Sequence, residues 1–292
     1  MSKSDELSKI REDIDSIDDQ ILSLINDRAK LAIQAGTAKT DKNKYKPARE
    51  SSILSRLSGS NHGPLKGEQI RNIFNEIISS CRSTESTFSI SFLGPEGTFS
   101  ESALEGQFGQ SVEKISEETI RSVFESVSNQ SSDFGIVPIE NSTEGSVNLT
   151  LDCLSEFNLS ICGEIEMEIH HNLLGHNKAL PKEGFEIHAH EQTLAQCRHW
   201  LESHCPGIKL VSVSSNAQAA LNVTDDNNIV AIAGDLAAKK YGLDILSKNI
   251  EDYSSNTTRF LTVGNIDSSP TLADKTSIMA TTKNEEELST HY

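Results

Sequence analysis

The 292-residue chain lacks several features that would place it in a specialised class of protein. Its apolar runs are far shorter than a membrane-spanning helix, and its charged N-terminal residues lack the apolar core of a signal peptide. The five cysteines contain no C-x-x-C pair, so we expect reduced thiols in a cytoplasmic protein. Aromatic residues are scarce at 5%, but 36% of residues are hydrophobic, and this length predicts about two domains with ordinary cores.

Positive charge is scarce after residue 87. Residues 88–292 contain 12 Lys and Arg against 30 Asp and Glu, whereas residues 1–87 contain 14 and 13. A chain with a net charge of −17 is a poor candidate for binding nucleic acid or an anionic membrane. An anion would have to be captured by local cations or helix N-termini, so we expect a small metabolite as the ligand.

The nine histidines do not form a metal motif. No pair has the i, i+4 spacing that would place two imidazoles on one helix face, and no paired cysteines accompany them. We interpret the histidines as ordinary strand and helix residues, and we predict neither a metal nor a cofactor.

The N-terminal residues have the apolar spacing of a long helix, predicted from Asp5 to about Lys39. Steps of three and four residues alternate along this seam, and the next seam position carries Arg28. A guanidinium in an apolar stripe is costly unless an anion meets it. Either the basic stems extend to water, or packed helices hold an anionic ligand between them. The seam residues before Arg28 are Leu7, Ile10, Ile14, Ile17, Ile21 and Leu24.

Two further helices are predicted after Pro47, which suits a first helical turn. In the second helix, Glu50 points toward the same face as Ile53 and Leu54. The third helix is predicted from about Lys66 to Glu85, and Glu85 either continues its apolar stripe or lies in a solvated terminus. The first helix, about 50 Å long at 1.5 Å per residue, is far longer than the second, so we expect a helix-swapped homodimer.

From Phe88 onward, strands alternate with helices, and polar clusters follow the strand ends. This pattern predicts an α/β domain of two lobes around a cleft, with the ligand outside the carboxyl ends of the strands. The glycine turn from Gly94 to Ser100 has neither the phosphate-loop nor the dinucleotide spacing. The predicted strands or extended segments are Phe88–Leu93, Phe134–Ile139, Ile161–Leu174, Phe185–His190, Ile208–Val213, Ile229–Ala233 and Phe260–Val263, and helices are predicted at Gln192–Leu201 and Leu236–Tyr241.

Residues 5–87 resemble the all-helical chorismate mutase domain. The resemblance implies that Arg11 enters the site from the partner subunit. Cys81 stands where the family often has Ser, and Lys46 where it often has Asp. Neither departure removes a cation, so activity with altered detail is expected. The positions that match the family's binding and catalytic residues are Arg11, Arg28, Lys39, Arg49, Glu50, Cys81 and Glu85.

The rearrangement of chorismate explains these residue types. Chorismate is a dicarboxylate that reacts in one pericyclic step, so the protein must hold the diaxial conformer and stabilise charge on the ether oxygen. The resemblance implies that the arginines bind the carboxylates, that Lys39 and Glu85 flank the ether oxygen, and that Glu50 accepts from the ring hydroxyl. Because a Glu donates only when protonated, mutase activity should fall as the pH rises, and Glu85→Gln should remove that dependence.

Residues 88–266 resemble prephenate dehydratase, whose fold is two-lobed and similar to that of periplasmic binding proteins. Four segments carry the resemblance in order: Gly94–Ser100, Pro138–Ser142 with Gly145 and Asp152, Gln192–Cys197, and Asn256–Phe260. The resemblance implies that Thr258 is essential and bonds the leaving oxygen, with Glu140 as candidate proton donor. The substrate-binding candidates in this region are Thr98, Ser100, Asn141, Ser142, Gln196, Arg259 and Phe260.

Two departures from the dehydratase pattern affect the expected activity. Ala189 stands where a Ser is expected, and losing one hydroxyl to a ligand costs about 0.5–1.5 kcal/mol, which predicts a slower enzyme. Residues 275–282 resemble the first strand of a regulatory amino-acid-binding domain, but the motifs that bind phenylalanine there are absent. We therefore expect residues 267–292 to be loosely ordered and feedback inhibition by phenylalanine to be missing.

The sequence thus predicts a bifunctional enzyme of phenylalanine biosynthesis. Its domains would be an all-α mutase domain at 1–87, an α/β dehydratase domain at 88–266 and a regulatory remnant at 267–292. The substrates would be chorismate and prephenate. Two alternatives are an active mutase with an impaired dehydratase, and a non-catalytic dimer that binds a small molecule.

Overall fold

The computed structural model describes residues 3–38, 45–85, 88–176, 180, 184–224, 228–266 and 274–278. Among these residues, no helix is both long and apolar enough to cross a membrane. Three helices come first and two α/β lobes follow. The elements in chain order are α1 (Lys3–Ala38), α2 (Pro47–Gly59), α3 (Gly67–Ser83), β1 (Ser89–Leu93), α4 (Phe99–Phe108), β2 (Glu113–Glu117), α5 (Ile120–Ser128), β3 (Phe134–Asn141), β4 (Gly145–Ser146), α6 (Asn148–Glu156), β5 (Ser160–Glu168), β6 (Asn172–Gly175), β7 (Glu186–His190), α7 (Glu191–Gln196), α8 (Arg198–His204), β8 (Lys209–Val213), α9 (Asn216–Leu221), β9 (Ile229–Ala233), α10 (Asp235–Tyr241), β10 (Asp244–Ser247) and β11 (Thr257–Gly264).

The two lobes are built on two separate sheets. The first sheet has the order β2-β1-β3-β11-β5, with β4 paired to β3, and the second has the order β10-β6-β9-β7-β8. In each sheet three strands run parallel, and strands that arrive from the other lobe join them in antiparallel fashion. The chain crosses between the lobes twice, after β5 and after β10. The predicted helical domain followed by a two-lobed α/β domain is confirmed.

The helical domain is joined to the first lobe by an aromatic cluster. Tyr45, just before α2, is buried, and its ring centroid lies 5.1 Å from that of Phe108 and 5.0 Å from that of Phe134. Burial raises the pKa of the Tyr45 phenol, the Glu50 charge raises it further, and Gln107 opposes both with a hydrogen bond. The aromatic contacts bury the connector side chain in the core of the first lobe.

Two predicted segments are divided in the structure. The extended segment Ile161–Leu174 forms β5 and β6, which belong to different sheets, because the chain changes lobe at His170 and His171. The predicted helix Gln192–Leu201 is α7 and α8, which meet at Cys197. The Asp252 carboxylate accepts hydrogen bonds from the backbone N–H groups of His199 and Trp200, so a residue distant in sequence caps the start of α8.

The expectation for residues 267–292 falls mostly outside the described residues. The described part, residues 274–278, forms neither helix nor strand. Lys275 there forms an ion pair with Glu164 of β5.

Candidate functional site

A cavity of about 440 Å³ lies between α1, α2 and α3. It unites residues that the sequence places on three different helices. The cationic lining suits a dianionic ligand, because two acidic side chains face five basic ones. The charged lining residues are Arg28, Lys46, Arg49, Arg56, Arg82, Glu50 and Glu85, and Cys81 lies among them.

Arg28 and Glu85 lie where α1 packs against α3 and the residues that follow it. Arg28 is half-buried, and its Nη1 lies 3.5 Å from the carbonyl oxygen of Ile77 on α3. Gly36 of α1 faces Glu85, since a Cβ added at Gly36 would lie 3.0 Å from Glu85 Oε2. The small residue therefore lets the carboxylate approach α1, and the seam cation is not in bulk solvent.

Glu50 is held by a residue that the sequence reasoning missed. Arg82 Nη1 donates to both Glu50 oxygens, at 2.6 and 2.7 Å. Arg82 Nη2 donates to the carbonyl oxygen of Phe108 at 2.8 Å, and the guanidinium lies 4.6 Å from the ring centroid of Phe88. The side chain is 6% exposed as a residue, so this ion pair is buried between the helical domain and the first lobe. The sequence signal that could have identified Arg82 is its spacing from Asn75, Ile78 and Ser79, which places all four residues on one face of α3. The structure buries that face.

The cavity lining does not include Arg11, one of the predicted mutase residues. Lys39 lies outside the described residues. Arg11 is exposed on α1, 17 residues before Arg28, which corresponds to about 26 Å along a helix. Arg11 therefore cannot reach the cavity of its own chain.

A second group of polar residues surrounds Thr258, near the start of β11. Thr258 pairs in register with Asn141 of β3. Asn141 Nδ2 donates to Thr258 Oγ1 and to Asn256 Oδ1, both at 2.8 Å. Asn141 Oδ1 accepts from the backbone N–H groups of Thr143 and Glu144, so both amide hydrogens of Asn141 point toward Thr258 and Asn256. The Thr258 hydroxyl is thus an acceptor from Asn141, and its own hydrogen is available for donation.

The second lobe contributes Gln196 to this group. Asn256 Nδ2 donates to Gln196 Oε1 at 3.2 Å, and the same oxygen lies 2.8 Å from His171 Nε2. Ser142 connects the loop after β3 to the start of β11, because its Oγ donates to the Ser255 carbonyl oxygen and accepts from the Thr257 N–H. Asn256 and His171 were not among the predicted site residues. We call Thr258, Asn141, Asn256, Gln196 and His171 the cleft network.

Glu140, Arg259 and Phe260 are placed outside the cleft network. Successive residues of a strand face opposite sides of a sheet, and Glu140 pairs in register with Arg259 on the side opposite Thr258 and Asn141. Arg259 forms ion pairs with Glu140 and with Glu164 of β5. Phe260 is buried in the core of the first lobe. The structure therefore does not bring the candidate proton donor Glu140 to Thr258.

The glycine turn before α4 contacts the second lobe. Thr98 caps α4, since its Oγ1 accepts from the Glu101 N–H and donates to the Leu93 carbonyl oxygen at 3.0 Å. Glu101 forms ion pairs with Lys114 at 3.1 Å and with Lys240 of α10 at 2.8 Å. Burial alone would raise the pKa of Glu101, but bonds from Lys240, the Gly97 N–H and Lys114 lower it overall.

Thr98 therefore lies in a turn that connects the lobes, and Ser100 lies in the first turn of the helix that follows. Ser100 is buried within α4. Gly97 has a φ of 85°, and a Cβ there would lie 3.3 Å from Ala237 Cα, so the turn requires glycine at this position. No described hydrogen bond joins Thr98 or Ser100 to the cleft network.

Ala189 lies inside the second lobe. It is 0% exposed and packs in an apolar cluster with Leu173, Ile187 and Cys197. A hydroxyl at this position would enter that cluster.

Comparison with known proteins assigns both halves of the chain. The family described as chorismate mutase type II matches residues 10–86, and the family described as prephenate dehydratase matches residues 90–268. The chain is 44% identical over 291 residues to the bifunctional chorismate mutase/prephenate dehydratase of Stutzerimonas stutzeri, covering 97% of this chain and 80% of that protein. It is 39% identical to the enzyme of the same name from Aquifex aeolicus, covering 96% and 79%.

A solved structure agrees with the assignment of the second half. The crystal structure of prephenate dehydratase from Arthrobacter aurescens, in complex with L-Phe, superposes with a TM-score of 0.56 at 33% identity, covering 64% of this chain and 63% of that chain. Its similarity supports the two-lobed fold around the cleft network. The two family matches, together with these two relatives of the same name, show that this chain belongs to the family of bifunctional chorismate mutases/prephenate dehydratases.

Proposed function

We propose that this protein rearranges chorismate to prephenate in the helical cavity and converts prephenate to phenylpyruvate at the cleft network. The observation that carries the proposal is that one chain holds both a cation-lined cavity and a threonine with an oriented hydroxyl. These are two successive steps of phenylalanine biosynthesis, and neither requires a cofactor.

The cavity would act on chorismate by binding and electrostatics. Arg28 and Arg49 would bind the two carboxylates and hold the reactive diaxial conformer. Glu50, fixed by Arg82, would accept a hydrogen bond from the ring hydroxyl. Glu85, when protonated, would donate to the ether oxygen as negative charge develops there, together with Lys39.

The cleft would act on prephenate by assisting departure of the ring hydroxyl. The bond from the ring to its carboxylate breaks, carbon dioxide leaves, and the released electron pair completes the aromatic ring as the carbon–oxygen bond breaks. Thr258 would donate to the departing oxygen, because its own acceptor position is filled by Asn141. Gln196 would bind a carboxylate of prephenate. Glu140 is not given the role of proton donor, since it pairs with Arg259 on the other face of the sheet.

The proposal includes a cytoplasmic homodimer formed through α1. The seam residues from Leu7 to Leu24 are 47 to 68% exposed, an apolar surface that a second copy of α1 would cover. Arg11 of one subunit would then reach the cavity of the other. Five cysteines without a disulfide fit a reducing compartment. Ile17→Asp should give a monomer by analytical ultracentrifugation that has lost mutase but kept dehydratase activity.

One experiment tests the two activities together. Purified protein receives chorismate at neutral pH, and chorismate, prephenate and phenylpyruvate are followed by chromatography without acid treatment. The expected result is transient prephenate followed by phenylpyruvate. Prephenate without phenylpyruvate would support an impaired dehydratase, and unchanged chorismate would support a non-catalytic binding protein.

A further inference from the structure

His171 occupies the point where the chain passes from the first lobe to the second. Its backbone N–H donates to Glu251 Oε2 at 2.9 Å, and its carbonyl oxygen accepts from the Ile250 N–H at 2.8 Å. Both partners lie next to the returning crossover, so His171 is fixed between the two connections. The residue is 2% exposed. Among the described residues its Nδ1 has no hydrogen-bond partner, which is uncommon for a buried polar atom and calls for a reason.

The direction of the hydrogen bonds in the cleft network supplies that reason. The backbone N–H groups of Thr143 and Glu144 fix the orientation of Asn141, whose Nδ2 donates to Asn256 Oδ1. Asn256 must then donate from Nδ2, and it does so to Gln196 Oε1. Gln196 consequently presents an oxygen to His171.

An oxygen facing His171 Nε2 at 2.8 Å requires that nitrogen to carry the hydrogen. In a neutral imidazole the other nitrogen, Nδ1, is then a bare lone pair. Burial lowers the pKa of His171; the Gln196 bond and the nearby Glu251 charge act against that lowering, and His170 adds to it. The unpartnered Nδ1 is therefore the bare acceptor nitrogen of a neutral ring whose single N–H is committed to Gln196.

The orientation of Gln196 decides which of its atoms faces the cleft. With its oxygen held by His171 and Asn256, its Nε2 is directed elsewhere, and it lies 3.4 Å from a carboxylate oxygen of Glu144. This end of the amide thus already offers N–H groups to a carboxylate. The opposite orientation would present the amide oxygen to an anionic substrate and repel it.

We propose that His171 is a positioning residue of the dehydratase site, which holds the Gln196 amide so that its N–H groups bind a substrate carboxylate. The proposal rests on the dehydratase activity proposed above. It assigns a binding rather than a chemical contribution, because Thr258 is oriented independently by Asn141. Loss of the His171 contact should therefore raise KM more than it lowers kcat.

Two amide variants of His171 test this role. A glutamine side chain can place an amide N–H where Nε2 lies, whereas an asparagine side chain reaches only as far as Nδ1. We expect His171→Asn to lower dehydratase kcat/KM by about 10- to 100-fold, mainly through KM, and His171→Gln to stay within about threefold of the original protein. The mutase rate of the same samples is the internal control and should be unchanged.

A double-mutant cycle distinguishes positioning from general destabilisation. In a Gln196→Ala background the amide is gone, so His171→Asn should cost less than about threefold in kcat/KM. An equal cost in both backgrounds, or an equal loss in the Asn and Gln variants, would overturn the proposal. Absence of phenylpyruvate formation by the original protein would instead overturn the proposed function, since that result does not depend on any variant.

A measurement on the original protein covers the case in which a variant does not fold. The ¹⁵N chemical shifts of the His171 imidazole identify the protonated nitrogen directly. We expect a neutral ring with hydrogen on Nε2 at neutral pH. Hydrogen on Nδ1 would contradict the inferred direction of the cleft network.

Discussion

The helical cavity and the cleft network, the two proposed substrate sites, are built from different kinds of groups. The charged side chains that line the cavity are four arginines, one lysine and two glutamates. The cleft network consists of three amides, a hydroxyl and an imidazole, joined by hydrogen bonds of defined direction. A pericyclic rearrangement requires a dianion held in one conformation, which charge provides. An elimination requires a donor aimed at one leaving atom, which directional bonds provide.

The two sites also differ in what completes them. Both lobes of one chain supply the cleft network. The cavity instead lies at one end of α1, while the other half of that helix, including Arg11, extends away with its apolar seam exposed. The mutase site should therefore depend on subunit association and the dehydratase site should not.

The largest expected effect comes from removing the directed donor in the cleft. Thr258→Val should lower dehydratase kcat by about 100-fold or more, since one preorganised donor to a developing oxyanion is worth that much. Mutase activity should be unchanged. The matched control is Thr257→Val, one residue earlier on the opposite face of β11, which should stay within about threefold. Similar losses from both substitutions would mean that β11 packing, and not the hydroxyl, is responsible.

The next effect tests the ion pair that holds Glu50 in the helical cavity. Arg82→Leu leaves Glu50 buried without its partner, and breaking such a pair costs about 3 kcal/mol in unfolding free energy. Mutase kcat/KM should fall by about 10-fold as Glu50 loses its position. Steady-state kinetics and thermal unfolding measure the two effects.

The control for Arg82 is Arg71→Leu, an exposed arginine on the same helix, which should change neither property appreciably. Unchanged mutase kinetics in Arg82→Leu would show that Arg82 does not position Glu50 for catalysis.

A smaller effect concerns the pH dependence of the lobe crossover. The bond to Glu251 raises the pKa of His170, and burial opposes it. Burial would raise the pKa of Glu251, but bonds from His170 and the His171 N–H lower it overall. Because a raised histidine pKa stabilises the folded state, this contribution is full below about pH 6.5 and is lost as the pH rises through the folded-state value.

His170→Asn should accordingly lower the midpoint of thermal unfolding at about pH 6, with a smaller difference at about pH 9. Differential scanning calorimetry of both proteins at the two pH values measures this change. The contribution of Glu251 to folded-state stability has an acid limit, since it is lost as the pH falls through the lowered pKa of Glu251. If the difference in unfolding midpoint between the two proteins is as large at alkaline pH as at acid pH, the charge of His170 does not stabilise the fold.

The smallest effect is expected at Ala189. The sequence predicted that a missing hydroxyl slows the dehydratase, but the side chain packs in an apolar cluster. Ala189→Ser should therefore change dehydratase kcat/KM by less than about twofold and slightly lower stability, as an added buried hydroxyl needs a partner. An increase of about 10-fold would show that the hydroxyl reaches the cleft.

Local patterns were sufficient to predict most elements of the fold. The three- and four-residue steps from Leu7 to Leu24 predicted α1, and Ile229–Ala233 was predicted with its observed bounds. Elements with little apolar alternation were missed, among them β2 with the sequence EKISE. The break at Cys197 could not be predicted, because the capping Asp252 lies 53 residues from His199 and meets it only in the folded chain.

The sequence by itself determined which residue types each domain offers. These are cations within the apolar stripes of helices in the first domain, and polar residues after strands in the second. Periodicity and spacing carry that information, since they follow from the backbone geometry of single elements. The tertiary structure decided which of these side chains meet. Strand register placed Glu140 opposite Arg259 and Asn141 opposite Thr258, and the packing of α3 against α2 supplied Arg82 to Glu50. Pairing between distant segments depends on strand register and on packing between elements, which no local pattern encodes.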